Sequence, residues 1–156
     1  MTAKTIAMRA LDAKNIPYEV FTYDTTVRDA TLVADEIGVP HQQVFKTLVV
    51  VRETGKPLLV MLPADRQLNL KRFARQIGEK KVKMAGHNQA EELTGLQVGG
   101  ISTLALLNRG FGVYLDDSAK SFDQIVISGG KKGLQVKLAV RDLIVITQAR
   151  LINASD

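Results

Sequence analysis

Apolar positions recur three and four apart at the start of the chain. Ile6, Ala7, Ala10, Leu11 and Ala13 share a helical face, Thr2 is placed to cap it, and Asn15 and Pro17 end it. Tyr18 to Tyr23 changes to the aromatic and β-branched content of a strand. Asp29 reads as the N-cap of a short helix over 30–37, stopped by Gly38 and Pro40. Val44 to Arg52 is dense in Val and Leu, a buried strand. Glu53-Thr54-Gly55-Lys56 then turns the chain, and Pro57 to Leu62 returns as its hairpin partner.

Further on, Leu68, Leu70, Phe73, Ala74 and Ile77 fall mostly on one helical face that Gly78 ends. Lys81 to Met84 reads as a short strand, and Asn88 as the cap of a short helix through Leu93. A small-residue loop, Val98 to Thr103, precedes strands at Gly112 to Leu115 and Gln124 to Ser128. Gly129 to Gly133 turns the chain into an alternating strand, Leu134 to Leu138. A last helix is expected over 139–148, and an edge strand over 149–152. Two hairpins among interspersed helices require a mixed sheet. The expected architecture is α+β: a single domain over residues 1–156, with a mixed, barrel-like sheet flanked by helices. No linker, repeat or low-complexity stretch interrupts it.

Composition narrows the class. The chain has 156 residues, 46% hydrophobic and 24% charged, enough for a hydrophobic core without covalent staples. There is no cysteine, so disulfides, thiolate metal sites and cysteine nucleophiles are excluded. The beginning of the chain lacks the apolar stretch of a signal peptide, and no apolar run approaches the ~18 residues of a membrane span. The expectation is a cytoplasmic protein. A net charge of +5 suits a polyanionic partner such as RNA and equally a plain basic surface. Aromatic residues make up 5%, too few for a base-stacking platform.

Most familiar chemistry is missing. The two histidines, His41 and His87, stand apart beside turns, without the third ligand a metal site needs; they read as solvated loop residues, and no metal or cofactor is expected. The phosphate-loop pattern is absent. Gly100-Ile101-Ser102 superficially resembles a nucleophile elbow, but Ser102 has no histidine partner. Asp116 and Asp117 point opposite ways at a strand end and read as turn and cap residues.

Two features remain. Lys46 opens an otherwise apolar strand, where a cation can be presented to a pocket; it also reads as a solvated strand end. Gly99-Gly100-Ile101-Ser102 and Ser128-Gly129-Gly130 are small-residue turns whose backbone can approach a ligand or hold an oxyanion; they also read as ordinary turns.

At these residues the chain resembles the YbaK family of bacterial Cys-tRNA(Pro) deacylases, free-standing relatives of the editing domain inserted in bacterial prolyl-tRNA synthetases. Four segments carry the resemblance in order: Phe21-Thr22-Tyr23, Val44-Phe45-Lys46-Thr47-Leu48, Val98-Gly99-Gly100-Ile101-Ser102, and Ser128-Gly129-Gly130-Lys131-Lys132-Gly133-Leu134, followed by Asp142-Leu143. The resemblance implies an active-site lysine at Lys46 with Phe45 and Thr47 beside it, and a pocket tyrosine at Tyr23. It implies one wall from Gly99, Gly100, Ile101 and Ser102 and another from Ser128, Gly129 and Gly130. Two positions depart from the family pattern: Thr103 stands where proline is common, and Gln135 where Cys-specific members tend to carry aspartate.

The implied activity is aminoacyl-tRNA deacylation in trans, removing cysteine from Cys-tRNA(Pro), and from Cys-tRNA(Cys) as a further substrate, with the substrate thiol attacking its own carbonyl. Lys46 would orient and polarise the ester while the N–H groups of Gly100 and Ile101 hold the oxyanion. Prolyl-tRNA synthetase is the expected partner. The alternatives are water-mediated hydrolysis of a residue such as alanine from Ala-tRNA(Pro), a small-molecule enzyme using the same pocket, and a non-catalytic tRNA- or synthetase-binding module. The last would use the basic run Lys71, Arg72, Arg75, Lys80, Lys81 and Lys83, which reads as well as a solvated face.

Overall fold

Helix α1 (Ile6–Ala13) turns Ala7, Met8 and Leu11 inward, onto the aliphatic residues Ile125, Ile127, Val136 and Leu138. The computed structural model describes residues 3–27 and 29–156. The expected cap, Thr2, lies outside them. Thr5 caps the helix instead, its hydroxyl accepting the Met8 N–H at 3.2 Å.

Strands and helices are interspersed along the rest of the chain. β1 (Glu19–Thr22) leads to α2 (Ala30–Ile37), which Asp29 caps through the Thr31 N–H and Gly38 ends in the left-handed conformation, as expected. The hairpin is β2 (Phe45–Arg52) and β3 (Leu58–Pro63). α3 (Leu70–Ile77) and β4 (Val82–Met84) follow. α4 (His87–Thr94) starts one residue before its expected cap: Gly86 is the N-cap, its N–H reaching the Gln89 side chain at 3.4 Å, and Asn88 lies inside the first turn. β5 (Gly112–Asp116), β6 (Gln124–Ser128), β7 (Leu134–Ala139), α5 (Val140–Thr147) and β8 (Arg150–Ile152) complete the order.

The strands form two sheets, of order β1-β7-β6 and β4-β2-β3-β5-β8. Pairing is mixed, as the hairpins required: β2–β3 and β6–β7 are antiparallel, β3–β5 and β5–β8 parallel. The barrel-like expectation needs one correction, because the strands do not close. The two sheets meet at an isolated bridge, Val44 with Val126, and beyond it β2 leaves β6 and takes β4 as neighbour only from Val50 onward.

That divergence leaves an open stretch on one edge of β2. Val44 accepts the Ala64 N–H on the β3 side at 2.7 Å, whereas Val49 accepts the Ala85 N–H on the opposite side at 2.9 Å. Backbone groups alternate in direction along a strand, so those of Thr47 turn the same way as those of Val49, away from β3. Two further cores, around Val50, Leu62 and Phe73 and around Val49, Leu59 and Leu106, pack the faces of the larger sheet. No helix among the described residues is long and apolar enough to cross a membrane.

Candidate active site

A cavity of about 370 Å³ opens where β2 parts from β6. Its floor is β2 from Phe45 to Val49. Ala30 and Val33 of α2 form one side, and Ala85, His87 and Ala90 another. Tyr23, Val98, Gly99, Ile101, Ser128 and Gln135 are also part of the wall. The cavity thus draws together seven of the residues expected at the site: Tyr23, Phe45, Lys46, Thr47, Gly99, Ile101 and Ser128.

Lys46 is half-buried, and its ammonium donates to the Ala64 carbonyl at 3.3 Å. Burial pushes its pKa below the usual lysine value, and the nearby carboxylates of Asp29 and Asp65 oppose that shift. Asp29 is held ionised mainly by hydrogen bonds from Thr31, the same bonds that start α2. Among the described residues no Asp or Glu lines the cavity, so Lys46 stands in its wall without a carboxylate beside it there. Phe45 beside it is 1% exposed and anchors the strand in the core with Met61 and Leu104.

The two small-residue turns interlock. A Cβ on Gly100 would stand 2.9 Å from the Lys132 backbone nitrogen and 3.0 Å from the Lys131 carbonyl carbon, so only glycine lets the turns touch. The Tyr23 hydroxyl donates to the Gly99 carbonyl at 3.4 Å, tying β1's end to the same loop. The second turn is held from behind: Thr5 donates to the Gly129 carbonyl at 2.6 Å, and the Gly129 N–H to Leu134 at 2.9 Å.

Four expected wall residues sit behind the surface. Gly100, Ser102, Gly129 and Gly130 do not line the cavity. The Gly100 N–H is spent on the Gln97 carbonyl at 2.8 Å, which corrects its expected role as an oxyanion donor. Ser102 is buried and caps a short 3-10 turn through the Leu104 N–H. Gly130 packs against α1, where a Cβ would lie 3.2 Å from that of Ala7. These residues shape the loops that others use.

Two residues named in the sequence, but not among the expected site residues, also line the cavity. His87 is not a free loop side chain: it opens α4, lines the cavity and lies 3.4 Å from Glu91 one turn on. Gln135 stands on the face of β7 opposite the core residues Leu134 and Val136, the face that strand alternation assigns to solvent. It is nevertheless 7% exposed, flanked by Phe21 and Ser128 on the neighbouring strands, and it lines the cavity. His41 stays outside, paired with Asp35 at 2.7 Å. Among the described residues no three His, Cys, Asp or Glu side chains form a metal-binding group.

A model of the aminoacyl-tRNA editing domain matches residues 24–146, a span that holds every cavity residue but Tyr23. The chain belongs to the aminoacyl-tRNA editing domain family. Within it, the chain is similar to an Enterococcus faecalis protein provisionally named as the Cys-tRNA(Pro)/Cys-tRNA(Cys) deacylase EbsC, with 32% identity over 94% of this chain and 90% of that one. A proline–tRNA ligase of Thermodesulfovibrio yellowstonii is 37% identical over 57% of the chain, a stretch amounting to 15% of the ligase. A crystal structure described provisionally as a trans-editing enzyme for prolyl-tRNA synthetase shares the editing-domain fold at a TM-score of 0.85, with 23% identity and 99% of both chains covered.

Proposed function

We propose that this editing domain is a trans-acting deacylase that removes cysteine from Cys-tRNA(Pro), with Cys-tRNA(Cys) as a second substrate. The observation that carries it is Lys46: a partly desolvated cation facing a small, mainly aliphatic cavity with no carboxylate in its wall. Such a cavity takes a small acyl group, and the cation attracts the electron-rich ester and the polyanion attached to it. Similarity to the Enterococcus faecalis protein over nearly its whole length supports the substrate class. Similarity to part of a proline–tRNA ligase supports action beside prolyl-tRNA synthetase, and that work belongs in the cytoplasm.

The aminoacyl ester is already activated, so orientation and oxyanion stabilisation are the main demands. The substrate's thiol loses its proton, and its sulfur bonds to the carbonyl carbon. The carbon–oxygen ester bond then breaks, and the ribose oxygen leaves with a proton. The resulting cyclic thioester hydrolyses away from the protein. Lys46 orients and polarises the ester. Ile101 and Thr47 are the donors to the developing oxyanion: both line the cavity, and the backbone of Thr47 faces the open edge of β2.

One observation favours a second reading. His87 lines the cavity with Glu91 behind it, an arrangement suited to activating water against a residue such as alanine. Release from Cys-, Ser- and Ala-tRNA(Pro) separates the two. Thiol assistance requires cysteine to be removed far faster than serine and the rate to survive His87→Ala. Equal rates on serine and cysteine contradict it.

A further inference from the structure

Two oxygen atoms of the cavity residues are buried without a hydrogen-bond partner among the described residues: the Gln135 side-chain oxygen and the Thr47 hydroxyl. A buried polar atom left unpaired costs stability, and folded proteins rarely keep one without a use. The neighbours of Gln135 do not supply its partner. Phe21 is apolar, and the Ser128 hydroxyl, which accepts the Gly130 N–H at 3.2 Å, makes no hydrogen bond to the Gln135 oxygen.

The chemistry of the cavity indicates what completes them. Its walls are largely aliphatic, from Val27, Ala30, Val33, Val49 and Ile101. Lys46 carries donors only, which suits the carbonyl side of an ester. An α-aminoacyl ester also brings an amino group, whose N–H bonds need acceptors, and no carboxylate in the wall provides one. Gln135 and Thr47 both line this cavity, and each keeps an unpaired acceptor oxygen buried in its wall.

We infer that Gln135, assisted by Thr47, reads the α-amino group of the substrate, accepting its N–H bonds and separating aminoacyl esters from acyl esters that lack the amine. The inference rests on the deacylase reading and deepens it. A neutral amide does this work here at the position where Cys-specific members of the family tend to carry aspartate. The amine is therefore held by a dipole, and Lys46 meets no competing anion in the wall.

The test uses tRNA(Pro) carrying either cysteine or 3-mercaptopropionate, which lacks only the α-amino group. Wild type should prefer the cysteinyl ester by roughly tenfold to a hundredfold in kcat/KM, the worth of hydrogen bonds to a polar or charged group. Gln135→Leu should lose that factor on the cysteinyl ester and far less on the other, bringing the ratio close to unity. Thr47→Val should move it the same way. Because leucine removes an unpaired polar atom, Gln135→Leu should also melt no lower than wild type. A ratio that Gln135→Leu leaves unmoved overturns the inference alone, as does a melting point lowered by several degrees, which places the amide's partner inside the protein. A wild type that cleaves neither ester contradicts the deacylase reading itself, and this inference with it.

Discussion

The side chain of Lys132 lies across Gly99: a Cβ built on Gly99 would stand 3.3 Å from Lys132 Cγ and 3.6 Å from its Cε. Gly99 is cavity wall, so the turn after β6 carries an ammonium over the rim of the site. An acyl group inside the cavity would hold the single-stranded 3′ end of its tRNA, with its phosphates, outside that rim.

Lys132→Ala is therefore expected to weaken productive binding of aminoacyl-tRNA while sparing a small ester such as cysteine methyl ester. The KM for tRNA should rise several-fold, and the dependence of log KM on log salt should flatten by about 0.7, the contribution of one phosphate contact on a single strand. Steady-state assays at three salt concentrations check it. An equal loss on both substrates would mean that Lys132 shapes the cavity instead.

Gly100→Ala tests the interlock of the two turns. Its φ is not in the left-handed region, so the obstacle is space alone, against the backbone of Lys131 and Lys132. Backbone cannot swing aside as a side-chain tip can. The expected cost is about 1–3 kcal/mol of stability, read by denaturant unfolding, together with a loss of activity from displaced walls. Thr5→Ala should act from behind the same wall, removing both the α1 cap and the bond to Gly129, at about 1–2 kcal/mol.

The buried lysine gives a pH signature. The folded protein holds Lys46 below its ordinary pKa, so the unfolded chain binds more protons there as pH rises through that depressed value toward the ordinary lysine value of 10.5. Charged Lys46 therefore costs stability at neutral pH, and the cost is relieved as pH climbs through that window. Lys46→Met should be more stable than wild type near pH 7, and the gap should narrow by pH 10.5. Unfolding curves for both proteins across this range check the sign.

Local signals made much of the fold legible. Asp29 and Gly38 bracket α2, and the hairpin of β2 and β3 follows from its turn and its Val and Leu content. Helix starts were less legible: Thr5 caps α1, and α4 starts from Gly86, two residues before the expected Asn88. Closure of the sheet was not readable, because it depends on where β2 leaves β6, a contact between residues far apart in the chain. At the site, the resemblance brought Lys46, Thr47, Tyr23 and Gly99 to attention, and they share one cavity. It did not separate wall from support, so Gly100 and Ser102 stood level with Ile101. Gln135 stood out as a departure from the family pattern, but its burial did not, because alternation places it on a solvent face and only the packing of distant segments buries it.

The most direct test of the account is release of cysteine from Cys-tRNA(Pro) by wild type and by Lys46→Ala, with both proteins shown folded by circular dichroism. The account predicts rapid release by wild type and a rate lowered by about a hundredfold or more in the variant, the scale for removing a group that stabilises charge in the transition state. Equal release by the two proteins would contradict it.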